Sequence, residues 1–115
     1  MAFINNMIKQ YRIKRNEEFS NIISKRRTKA GEAFVLHFDE KKEAYSRVGI
    51  SVSRKIGNAV IRNKVKRQIR MMLSNIYDFD SGTMDIIIIA RNKYLDRSFA
   101  ENQRELEKLL KSSII

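Results

Sequence analysis

The sequence predicts an α+β fold, a two-layer sandwich with elements in the order α-β-β-α-β-α, and three observations lead there. Val48, Ile50 and Val52 alternate with Gly49, Ser51 and Ser53, which is the period of a strand with one apolar face and one face of small side chains. Ile61, Val65, Ile69, Met72, Leu73 and Ile76 then recur at spacings of three to four and one, so that at about 100° per residue they share one arc of a helix. Residues 86–89 are four isoleucines without alternation, as in a strand covered on both faces. With 115 residues the chain is long enough for one core and too short for two, so residues 1–115 are read as one domain.

In chain order, residues 1–8 show neither a helical nor a strand period and are expected to be a disordered extension, with Met7 as a candidate initiator. Residues 11–15 are a basic entry segment. Asn16 is expected to cap a helix that opens on Glu17 and Glu18, acids suited to the positive end of a helix dipole. Phe19, Ile22 and Ile23 give that helix an apolar stripe expected to pack into the core. Residues 25–29 are a second basic cluster, expected as a solvated loop. Phe34, Leu36 and Phe38 alternate with Ala33, Val35 and His37 as a strand does, and the charged turn at 39–43 leads into the Val48 strand. The two strands are expected to pair as a hairpin.

Gly57 ends that second strand, and Asn58 is placed to cap the long helix. On it, Asn63, Lys64, Lys66, Arg67 and Arg70 fall outside the apolar arc and Arg62 lies near its border. After an acidic, glycine-containing loop at 78–83 comes the isoleucine strand. Ser98 with Glu101 then forms a capping box for a last helix with apolar positions Phe99, Leu106, Leu109 and Leu110.

Charge says what this scaffold is for. Twenty-four Lys and Arg against 13 Asp and Glu give a net charge of +11 and an isoelectric point near 10.2. Residues 47–76 carry eight cations, and no acid occurs between Ala44 and Tyr77. A helix that is merely solvated mixes its signs and uses i,i+4 pairs. This one lacks such partners, so a polyanion is expected to supply the countercharge.

Other chemistries find little support. The longest apolar run, residues 86–90, is far short of a membrane span, and Asn5 and Asn6 interrupt the apolar N-terminus, so a cytoplasmic protein and no membrane partner are expected. Zero cysteines exclude disulfides and thiolate catalysis. His37 is the only histidine, leaving no histidine pair or Ser-His-Asp arrangement. Asp78 and Asp80 have the oxygen chemistry for Mg²⁺, although a solvated turn accounts for them more simply. Neither a Walker pattern nor a helix-turn-helix or zinc-finger pattern is present, so no DNA partner is expected. By itself the chain does not read as a catalyst.

The string RVGISVSRKIGNAVIRNKVKR at residues 47–67, containing Arg62-Asn63-Lys64, resembles the signature of the bacterial ribonuclease P protein component, whose motif is Arg-Asn-Arg. Weaker similarity runs from about residue 9 to residue 112. The resemblance implies a mixed sheet of about four strands, as in the second domain of ribosomal protein S5. In it a basic helix joins two parallel strands by a left-handed crossover, against the general right-handed rule. It also implies an accessory subunit of an enzyme, one that assists a catalytic RNA in removing the 5′ leader of precursor tRNA. Hydrolysis would be carried out by Mg²⁺ bound mainly through the RNA.

Residue by residue, the resemblance implies two surfaces. Arg62, Asn63, Lys64, Lys66, Arg67 and Arg70 would meet the catalytic RNA or the substrate near its cleavage site. Phe19, Ile23, Val35, His37, Ser51 and Ser53 would form a cleft for the single-stranded leader, with Arg54 and Lys55 at its rim. Three positions depart from the family pattern: Ile23 and His37 stand where aromatics are frequent, and Lys64 replaces the second motif arginine, losing its planar phosphate fork. The alternative is a structural RNA-binding protein or RNA chaperone of ribosomal type with no processing role.

Overall fold

The isoleucine run forms the strand at the middle of the sheet. The computed structural model describes residues 9–113, so the extension expected at residues 1–8, with Met7, lies outside the described residues. Short 3-10 turns occur at Lys9–Tyr11 and Asn92–Asp96. The other elements are α1 (Asn16–Ser24), β1 (Thr28–Ala30), β2 (Phe34–Glu40), β3 (Val48–Ser51), α2 (Ala59–Ile76), β4 (Met84–Ala90) and α3 (Phe99–Ser113).

The four strands lie in the order β1-β2-β4-β3. β2 and β4 are antiparallel over seven residue pairs, and β3 runs parallel to β4. The hairpin expected between β2 and β3 is therefore not formed, because β4 lies between them. Its isoleucines are apolar on both faces, and a strand of that kind gains most from a neighbour on each side. β3 returns to β4 through α2, the parallel crossover that the resemblance implies. β2 finds its hairpin partner in β1 instead. Part of the basic cluster at 25–29, expected as a loop, is thus an edge strand, whose three residues are all exposed.

α2 and α3 cover one face of the sheet. Val65, Ile69, Met72 and Leu73 of α2 and Leu106 and Leu110 of α3 pack with Phe34, Leu36, Ile86 and Ile88. α1 lies on the opposite face, where Ile22 joins Ile13 and Ile87, with Phe19 and Ile89 partly buried beside them. It covers only part of that face.

Caps behave largely as the sequence indicates. Asn58 Oδ1 accepts the N–H of Ile61 at 3.0 Å. Ser98 and Glu101 exchange two hydrogen bonds, Glu101 N–H to Ser98 Oγ and Ser98 N–H to Glu101 Oε1. Asn16 is the exception: it is the first helical residue, and Arg15, in extended conformation, occupies the N-cap without a side-chain bond. Two expected core residues also stay partly in solvent, Ile61 at 37% and Ile23 at 38% exposure. Each lies at the flank of its apolar stripe.

Candidate nucleic-acid interface

The site is built where α1, β3 and α2 meet. Gly49 lies on the α1 side of β3, and a Cβ there would sit 2.6 Å from Phe19 Cζ and 2.8 Å from Ile87 Cδ1. The missing side chain lets the Phe19 ring rest on the sheet, which explains the small-residue face read from the sequence. Ser51, two residues on, shares that face.

The entry segment is held beside β3. Ile13 N–H donates to the carbonyl of Val48, and Arg12 forms a bridge with Val48. Tyr11 stacks on Phe79 at 4.7 Å and donates its hydroxyl hydrogen to Asp80 at 2.7 Å, a bond that raises the Tyr11 pKa. Two adjoining recesses result. Phe19, Ser51, Lys14 and Lys66 are among the residues lining one, and Arg12, Ile50, Lys66 and Arg70 among those lining the other.

The two surfaces implied by the resemblance therefore adjoin and share Lys66. Asn63, Lys64 and Arg67 are exposed on the outer side of α2. Arg62 Nε donates to the Gly57 carbonyl at 3.2 Å, bracing the β3–α2 connection. Ser53, Arg54 and Lys55 stand exposed in the turn that follows β3. Val35 and His37 lie on β2, separated from Ser51 and Gly49 by Ile89 and Ile87 of β4. Ile23 follows Phe19 by one turn on the same flank of α1. Arg12 and Lys14 are contributors that the sequence did not single out; the basic run at 11–15 was their signal.

The electrostatics separate one cation from the rest. Arg47 Nη2 reaches Glu18 at 2.8 Å and Asp85 at 3.0 Å, and its backbone N–H donates to Asp85 Oδ1 at 3.0 Å. It is thus an internal clamp between α1 and the sheet, although it belongs to the acid-free run. Its hydrogen bond holds the Glu18 carboxyl below the usual range, against the opposing effect of burial. Among the described residues, no carboxylate forms an ion pair with Arg54, Lys55, Arg62, Lys64, Lys66, Arg67 or Arg70. Burial lowers the Arg70 pKa, and the nearby Arg12 lowers it further. Like charges are held close together here.

Metal chemistry has no such concentration. Among the described residues, no three His, Cys, Asp or Glu side chains are grouped to hold an ion. Asp78 Oδ1 accepts the Asp80 N–H at 3.1 Å, within their own turn, while the Asp80 carboxylate accepts the Tyr11 hydroxyl. Burial lowers the pKa of His37, favouring its neutral form. No helix among the described residues is long and apolar enough to cross a membrane.

A family profile described as Ribonuclease P matches residues 7–113. The chain belongs to the ribonuclease P protein family. It is 50% identical to the ribonuclease P protein component of Mesoplasma florum over 99 residues, 85% of this chain and 90% of the relative. Its structure resembles that of a Staphylococcus aureus RNase P protein mutant with defective mRNA degradation activity, at a TM-score of 0.81 and 42% identity, covering 91% of this chain and 89% of the other. The RNase P protein from Thermotoga maritima superposes with a TM-score of 0.75 at 30% identity, covering 88% and 96% of the two chains. The chain is thus a protein subunit of ribonuclease P, the tRNA-processing ribonuclease, and these relatives give the ribosomal alternative no support.

Proposed function

We propose that this subunit binds the catalytic RNA of ribonuclease P through the outer side of α2 and takes the 5′ leader of precursor tRNA into the groove beside Phe19. The observation that carries this reading is the set of cations on and before α2 that lack acidic partners among the described residues, one of which, Lys66, also lines the groove. Lys64 and Arg67 neutralise phosphates on the outer side, releasing counterions as they do so. Lys66 and Arg70 draw the strand toward the sheet, where the Phe19 ring stacks on an unpaired base.

Mg²⁺ is assigned to the RNA of the holoenzyme, where it would supply the activated water for hydrolysis. Enzyme membership is then a property of the complex, and the chain's own work is positioning and charge neutralisation. A cytoplasmic location accompanies this role. The test is to reconstitute the complex and measure binding of precursor and mature tRNA at fixed salt and Mg²⁺. Tighter binding of the precursor that depends on Phe19 supports the reading; equal binding of both tRNAs overturns it.

A further inference from the structure

α1 is lightly held. It has nine residues, of which Ile22 is the buried one, and its N-cap, Arg15, makes no side-chain bond. A helix of that length is marginal by itself, so contacts with the sheet decide where it lies. The packing of Ile22 with Ile13 and Ile87 is apolar and non-directional, which leaves the rotation of the helix loosely set.

Arg47, by contrast, is a fixed post. Its N–H donates to Asp85 Oδ1 and its Nη2 to Asp85 Oδ2, both at 3.0 Å, while its carbonyl accepts the Ile86 N–H at 2.9 Å. Asp85 is fully buried, so the backbone and the guanidinium of Arg47 are tied to β4 wherever α1 lies. From this post Nη2 also reaches Glu18 Oε2 at 2.8 Å, a charge-assisted and directional bond. Phe19 is the next residue on α1, and Gly49 lies two residues after Arg47, on the same face of the extended chain. Two contacts thus stand side by side: Glu18 on Arg47, and the Phe19 ring over Gly49. A rotation of α1 that broke the first would displace the second, and with it the side of the groove that Phe19 lines.

We propose that Glu18 is a positioning residue for precursor recognition: its bond to Arg47 latches α1 at the rotation that holds the Phe19 ring over Gly49, and it sets precursor affinity through that ring. This rests on the leader reading above and deepens it. Arg47 then serves the RNA without touching it, although it stands in the acid-free cationic run.

The experiment measures precursor and mature tRNA binding to reconstituted complexes carrying Glu18→Ala, Glu18→Gln, Phe19→Ala or Glu18→Ala with Phe19→Ala. Glu18→Ala should weaken precursor binding several-fold, and by no more than the roughly 100-fold that loss of one base–ring stack can cost, while mature tRNA binding and the salt slope stay the same. Glu18→Gln keeps an oxygen within reach of Arg47 and should retain the preference that Glu18→Ala loses. In the Phe19→Ala background, Glu18→Ala should add nothing, because the group it positions is gone. Additive losses in the double variant, or a glutamine variant as weak as the alanine one, overturn the proposal. So does tighter binding of both tRNAs with a steeper salt slope, the result expected if Glu18 merely masks a phosphate-binding Arg47. Should Glu18→Ala not fold, Glu18→Asp, which keeps the charge and draws the oxygen back by one methylene, takes its place with the same expected pattern. Equal binding of the two tRNAs by the unaltered complex overturns the leader reading and the latch with it, whereas a preference indifferent to Glu18→Ala overturns the latch alone.

Discussion

The Phe19 ring occupies the space that a side chain at Gly49 would fill, with Cζ 2.6 Å from the ideal Cβ position. Gly49→Ala should therefore push α1 off the sheet or force Phe19 and Ile87 to new rotamers. A cost of about 1–3 kcal/mol is expected for such overpacking, together with weaker precursor binding. Urea melts and leader affinity measured on the same variant check both, and an alanine accepted without loss of either would show that α1 is free to shift.

Phe19→Ala approaches the same contact from the other side. Precursor affinity should fall by up to roughly 1–3 kcal/mol while mature tRNA affinity changes little, because only the precursor presents unstacked bases. A correctly folded variant with its precursor preference intact would count against the groove.

On the outer side of α2, Lys64→Ala and Arg67→Ala should weaken RNA binding with a stability change within about 0.5 kcal/mol. Val65→Ala, from the buried side of the same helix, should cost ~2 kcal/mol through lost methyl groups and the cavity left behind. Each lost phosphate contact should also flatten the log-log salt slope by about 0.7–0.9. Melts of the three variants side by side settle the assignment of faces: equal destabilisation by Lys64→Ala and Val65→Ala would refute it.

Acid should destabilise the protein in two stages. Burial depresses the His37 pKa below its ordinary 6.5, so the unfolded chain binds the proton first and stability declines as pH falls below that value. Glu18 is also depressed, below its ordinary 4.5, chiefly by the hydrogen bond from Arg47. Its contribution is fully present above 4.5 and is lost as pH falls through the lower folded value. Denaturant melts across this range should show the first stage vanish in His37→Asn and the second flatten in Glu18→Gln. An unchanged profile in either variant would exclude that residue as the source.

Much of this was legible because the decisive interactions are local. The cap of α2 spans three residues, from Asn58 to Ile61, and the apolar arc that follows is read by counting. The capping box of α3 is equally short in range. What escaped was long in range or unmarked by hydrophobicity. β1 has three exposed residues and so shows no period, although its backbone completes the sheet. Arg47 looks like any other cation of its run, yet its partners lie 29 residues before it and 38 after it. Site placement divides in the same way. Phe19, Ser51 and Lys66 were each visible, whereas the junction they form depends on a sheet order that alternation cannot specify.

The sheet order also constrains the moment at which the protein can fold. β4, the innermost strand, is the last of the four to be synthesised, and β3 has no other strand beside it. Until Ala90 has left the ribosome, β2 can pair with β1 alone, and α2 has only an incomplete sheet on which to lay Val65, Ile69 and Leu73. A nascent chain stopped before Met84 would expose apolar strand faces and a crowded run of cations together. Completion of the sheet therefore waits until the isoleucines of β4 arrive to join the two halves.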